Sequence, residues 1–264
     1  MVEEPLEIEP LEVGADLQVG PINMKISVIV PAFNEERLLP ATLSSIRASM
    51  EAFTGAGWQS ELIVCDNNST DRTGELARAA GAKVVFEPTN QIARARNCGA
   101  AHAAGDWLVF VDADSRPSVQ LFRDVVAAIE QTRCVAGGST VAIEGDHRVA
   151  TFTVRIWNAI SRVNRWGAGS FIFCEAATFR EIGGFNQDWY AAEEIDFFRR
   201  LKAVARRTGR TIVILSRHPV WTSDRKVRLY TPREHLKFLL KTIATGNRTL
   251  RSQDDCFTWY DGRR

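Results

Sequence analysis

Short apolar runs alternate along the chain with longer stretches in which hydrophobic residues recur every three or four positions. Ile26 to Val30, Glu61 to Cys65, Lys83 to Phe86 and Trp107 to Val111 are of strand length and rich in β-branched residues. Leu39, Leu43, Ile46 and Met50 recur at helical spacing and predict a helix packed on one sheet face. Thr70 or Asp71 caps a second helix over Gly74 to Ala80, which Gly81 closes, and a small-residue helix spans Ile92 to Ala104. Strands alternating with helices predict an α/β fold: a Rossmann-like, mostly parallel central sheet with right-handed crossovers, flanked by helices.

The second half is less regular. Val135 to Ile143, Ser170 to Cys174 and Thr211 to Leu215 read as strands, and Arg180 to Phe185 as a helix end with a glycine turn. Val149 to Arg165 reads as a helix with Phe152, Ile156, Ile160 and Val163 on one face, and Glu193 to Arg207 as another. A final helix over Pro232 to Ala244 groups Leu236, Leu239, Leu240 and Ile243, with Arg233, Lys237 and Lys241 giving it a basic side. It suits either a packed terminal helix or peripheral contact with a membrane surface. The acidic stretch 1–23 is expected to be a flexible tail, and 229–264 the C-terminal helix and tail.

Composition changes this picture little. Of 264 residues, 45% are hydrophobic and 25% charged, which allows a substantial core. A net charge of +1 gives no electrostatic case for nucleic acid as a partner. The longest apolar runs fall short of a transmembrane segment. Five cysteines lack metal-ligand spacing and sit mostly among apolar or small residues, the habit of reduced thiols, so a cytoplasmic setting is expected.

Candidate chemistry collects at strand ends. Trp107 to Val111 runs into Asp112-Ala113-Asp114, two acids at the lip of a crevice where open α/β sheets bind ligands. Carboxylates so close repel, so a divalent cation held by hard oxygens accounts for them better than a solvated turn. Pro31, Ala32, Asn34 and Glu35 follow the first strand, where Pro31 should stop the ladder and Asn34 with Glu35 open the next helix. Asp66 and Asn67 follow the second strand, suited either to a nucleobase or ribose edge or to an Asx turn. Arg96 lies among small residues that let its helix approach the sheet, and suits a diphosphate or a base-binding acid. Glu194 heads the buried stripe of Phe197, Phe198, Leu201 and Val204, where a readily ionised carboxylate could serve as general base. Glu193 and Asp196 share a neighbouring face and are its alternates, and His218 could complete a metal shell begun by Asp114.

Taken together, Val28 to Glu35, Asp66 to Asp71, Ala95 to Gly99, Gly105 to Asp114, Gly183 to Phe185 and Glu193 to Phe197 resemble the inverting glycosyltransferases of family 2. The resemblance covers roughly residues 25 to 225 and implies a GT-A nucleotide-diphospho-sugar transferase fold over 24–228. In that fold 24–116 would form the nucleotide-binding half and 117–228 the acceptor-binding half. It further implies that Pro31, Ala32, Asn34, Glu35, Asp66, Asn67 and Arg96 line the nucleotide-sugar pocket. Asp112, Ala113 and Asp114 would be its DXD motif, with Mn²⁺ or Mg²⁺ on Asp114 and Asp112 bridging the diphosphate. Glu194 would deprotonate an acceptor hydroxyl, on a glycan, a lipid-linked molecule or a small molecule. The family usually shows Glu-Asp where this chain has Glu193-Glu194, so the expected base carries one extra methylene. A nucleotidyltransferase is the rival enzyme class, but the segment after the first strand lacks its glycine- and lysine-rich phosphate loop. A nucleotide-sugar-binding protein without turnover would keep the pocket alone.

Overall fold

A computed structural model of the chain describes residues 24–131, 133–145, 148–225, 245, 247–252 and 254–256. The expected tail over 1–23 and final helix over 232–244 lie outside them. Eight strands form one sheet: β1 (Lys25–Ala32), β2 (Gln59–Asp66), β3 (Lys83–Phe86), β4 (Trp107–Val111), β5 (Ser115–Arg116), β6 (Cys134–Ile143), β7 (Phe171–Glu175) and β8 (Thr211–Thr222). Their order is β3-β2-β1-β4-β7-β6-β8-β5. β1, β2, β3 and β4 pair in parallel, as their helical crossovers require. β7 runs antiparallel to both β4 and β6, so the second half of the sheet is mixed. The chain leaves β1 toward β2 and β3, then returns to β4 on the other side, which opens a switch-point crevice at the carboxyl ends of β1 and β4.

Helices cover both faces. α1 (Leu39–Gly55) and α4 (Val119–Glu130) lie on one, α3 (Ile92–Ala101), α6 (Ala176–Glu181) and α7 (Glu193–Thr208) on the other. In β1, Val28 and Val30 face the first layer and Ile29 the second, the two-residue alternation of a strand covered on both sides. Phe53 of α1 and Phe122 of α4 are fully buried with ring centroids 5.0 Å apart. Each such ring contributes roughly 1.5–3 kcal/mol on burial. α2 (Thr73–Ala79), α5 (Arg148–Asn164) and a short α8 (Asn247–Leu250) complete the described helices.

Several expectations are revised. Pro31 does not stop β1, because the ladder toward β4 has already ended at Ile29 and the β2 side continues to Ala32. The strand read as ending at Leu215 extends to Thr222 by pairing with β6. On α5 the stripe of Phe152, Ile156, Ile160 and Val163 faces out, with Phe152 64% and Val163 84% exposed, while Val154 and Trp157 meet the core. The five cysteines are free thiols. No helix among the described residues is long and apolar enough to cross a membrane.

Candidate functional site

Arg96 holds the centre of the crevice. α3 can bring it there because Gly99, one turn on, lies flat on β1, where a Cβ would come within 2.4 Å of the Ile29 side chain. The guanidinium is only 1% exposed; Nη1 donates to Glu193 Oε1 at 2.6 Å and Nη2 to Asp112 Oδ1 at 2.9 Å. Nη2 also donates to the Gly169 carbonyl at 2.9 Å, and the guanidinium stacks 5.1 Å from the Phe185 ring centre. Burial alone would lower its pKa, but Asp112, Glu193 and Glu194 outweigh burial and raise it.

Glu194 stands beside this pair. Burial, then repulsion from Glu193 and less so Asp112, pushes its carboxyl up to about 8, with Arg96 pulling the other way. The sequence-based expectation of a readily ionised group is therefore corrected: the helix N-terminus is outweighed by desolvation and a like charge. Glu193 is committed to Arg96. Asp196 is bound by Arg199 and Arg200, and Arg200 also donates to the Ile182 and Gly184 carbonyls, so this carboxylate fastens the glycine turn to α7.

The segment after α5 closes the crevice floor. Gly138 of β6 and Gly167 meet so closely that a Cβ on Gly138 would lie 2.6 Å from the Gly167 Cα. A Cβ on Gly167 would in turn strike the Phe198 ring at 2.5 Å. This contact sets the Gly169 carbonyl on Arg96 and the Ser170 carbonyl on the Asp112 amide at 3.3 Å.

The remaining candidates form a second cluster at the end of β1. Glu35, 6% exposed, receives two hydrogen bonds from Arg225 at 2.7 and 2.6 Å. Arg225 Nη2 also reaches Asp114 Oδ2 at 3.5 Å, and Ser223 Oγ donates to the same oxygen at 2.9 Å. A cavity of about 520 Å³ opens there, lined by Asn34, Glu35, Thr70, Asp71, Ser223 and Arg225 among others. Asn34 takes a positive φ of 52° and accepts the Thr70 amide. Asp66 accepts the Ser69 amide as an Asx turn would; Asp71 accepts the Thr73 amide, but the N-cap of α2 is Arg72 rather than the expected Thr70 or Asp71. Pro31 and Ala32 complete β1, and the buried Ala113 accepts the Thr42 hydroxyl.

Two candidates are spent elsewhere. Asn67 is consumed by the backbone of Glu87, Thr89 and Gln91, which pins the turn after β3. His218 bonds Asp124 of α4 at 2.8 Å, because β8 runs past α4 before reaching Asp114, so the structure does not bring it to the acids. The structure adds Arg225 to the site. Nothing in its local sequence marks a partner 190 positions away.

The family model for glycosyl transferase family 2 matches residues 27–183. An uncharacterized glycosyltransferase of Haemophilus influenzae is 28% identical over 67% of this chain and 61% of its own length. The 4,4'-diaponeurosporenoate glycosyltransferase of Staphylococcus haemolyticus is 40% identical over 36% of this chain and 25% of its own. The matched segments thus span a quarter to three fifths of these relatives' lengths. Among solved structures, a mannosyltransferase from Pyrobaculum calidifontis in complex with GDP-Man and Mn²⁺ superposes with a TM-score of 0.60 at 19% identity, over 87% of this chain and 64% of that one. Glucosyl-3-phosphoglycerate synthase from Mycobacterium tuberculosis, in complex with Mn²⁺, UDP-glucose and phosphoglyceric acid, gives 0.53 at 21% identity, over 84% and 77%. The chain belongs to glycosyl transferase family 2, and its fold is the GT-A fold of glycosyltransferases.

Proposed function

We propose that the protein moves a sugar from a nucleotide-diphosphate sugar, a UDP-sugar by preference, to an acceptor hydroxyl with inversion at the anomeric carbon. The observation that carries this reading is the Asp112–Arg96–Glu193 bridge beside Glu194. It joins the strand end that would face the donor to the helix that would face the acceptor. Glu194 takes the acceptor proton; the acceptor oxygen bonds to the anomeric carbon while the bond to the diphosphate breaks, and its electron pair leaves with the nucleoside diphosphate. A carboxyl raised toward 8 is matched to that work, since a base whose pKa lies near the working pH is both available and strong enough.

Among the described residues no group of three or more metal-ligating side chains occurs. Mn²⁺ or Mg²⁺ shared with a substrate would need only one or two carboxylates, with phosphate oxygens completing its shell. Asp114 and Asp112 offer hard oxygens of this kind at the crevice lip. When bound there, the ion supplies positive charge to the departing diphosphate. Two solved structures of similar fold support the reading, one holding GDP-Man and Mn²⁺ and the other UDP-glucose, Mn²⁺ and phosphoglyceric acid. Residues 24–116 would take the nucleotide and 117–228 the acceptor, and five free thiols favour a reducing cytoplasmic setting.

Calorimetry of UDP with and without Mn²⁺ tests the donor half: binding should need the metal and vanish in Asp114→Asn. Slow hydrolysis of the UDP-sugar tests the base: Glu194→Gln should slow it by about 10²–10⁴ while UDP affinity holds. Unchanged hydrolysis would remove Glu194 from its role.

A further inference from the structure

α5 presents an apolar stripe that the protein's own core leaves uncovered. Phe152, Ile156, Ile160 and Val163 are 64%, 48%, 41% and 84% exposed, and they follow one helical face. Arg155 and Arg162 are exposed on the same helix, and Arg165 just beyond it. From Arg148 to Cys174 the sequence contains no Asp or Glu. Next to the end of α5, Lys202 of α7 sits 5.1 Å over the Trp166 ring, and partial burial with repulsion from Arg206 and Arg165 holds its pKa down. Positive charge is thus crowded around an exposed apolar stripe, an arrangement relieved by an anionic surface with an apolar interior beneath it. A second copy of this chain would bring the same arginines together. A bilayer would not.

We propose that the outer face of α5 is a docking surface for an anionic phospholipid membrane, with the apolar stripe at the acyl boundary and the arginines against headgroups. The chain leaving α5 reaches Gly169 and Ser170 within six residues, and their carbonyls hold Arg96 and Asp112. A membrane under α5 therefore lies next to the crevice. Resting on the transferase reading above, this assigns the acceptor to the class carried by lipid.

Flotation of the full-length chain with vesicles tests the surface. It should float with phosphatidylcholine mixed with phosphatidylglycerol, and poorly with phosphatidylcholine alone. Arg155→Glu with Arg162→Glu should weaken binding at least about tenfold, and high salt should do the same. Phe152→Ser with Ile156→Ser and Val163→Ser should abolish it; these exposed positions leave the melting transition intact. Failure of the wild type to float with anionic vesicles would overturn the proposal, as would variants that float unchanged. So would a triple variant that turns a dimer into a monomer with vesicle binding unaltered, or α5 amides equally protected from exchange with and without vesicles. UDP calorimetry on the same samples keeps the two readings apart: vesicle binding without UDP binding would sink the transferase and spare the surface.

Discussion

Arg96 and Glu194 occupy neighbouring positions in space and make opposite demands on the fold. Arg96 is charged, buried and bonded on three sides, so Arg96→Met would leave Asp112 and Glu193 facing each other without their cation. Breaking a buried pair in this way costs roughly 3–5 kcal/mol, and a lowered urea midpoint with an unchanged slope would register it. Glu194 is uncomfortable when charged. Its folded pKa is raised from an ordinary 4.5 to about 8, so ionisation costs stability progressively as pH climbs between those values. Glu194→Gln should therefore melt higher than wild type above pH 8, with the gap closing as pH falls toward 4.5. Catalysis has the reverse sign: kcat/KM should rise with pH to a plateau above about 8, and Glu194→Gln should flatten that rise. The residue types and their order were legible in the sequence, and their division of labour was not. Asp112 and Asp114 look like a pair one residue apart, yet one turns to Arg96 and the other to Ser223 and Arg225. Which side chain a residue meets across the fold is a tertiary fact that local spacing does not encode.

Among the elements, those with strong periodicity were read well. β1, β2, β4, α3 and α7 stand where the apolar pattern puts them, the strands as short continuous apolar runs and α7 through its buried helical stripe. α4 was overlooked although Ser118 caps it through the Leu121 amide and Leu121, Phe122, Val125 and Ile129 form its buried stripe. Asp112, Asp114 and Pro117 just before it mark a turn rather than a helix start. The antiparallel entry of β7 between β4 and β6 was invisible, since a strand buried on both faces reads alike in either direction. For α5 the sequence shows the stripe but not its exposure, because periodicity shows that a helix has an apolar face without showing what it meets. Close approach of α3 to β1 depends on Gly99, so Gly99→Ala should overpack Ile29 and cost about 1–3 kcal/mol, read as a lower melting temperature with little change in helical content.

At the scale of the molecule, the bidentate grip of Arg225 on Glu35 ties the chain after β8 to the loop after β1, which lie far apart in sheet order. Arg225→Ala removes the bidentate partner of a nearly buried carboxylate and should destabilise by roughly 1–3 kcal/mol. Hydrogen exchange should locate that loss at both tethered segments, and spare the amides of β2.

The meeting of Gly138 with Gly167 limits how the strap between α5 and β7 can be rebuilt. Main chain touches main chain there, so the strap already lies as close to β6 as chemistry permits. Room for a side chain at either position could come only from lengthening the strap between α5 and β7. Bulkier residues at either glycine would lift that strap and unseat the Gly169 carbonyl from Arg96 and the Ser170 carbonyl from the Asp112 amide.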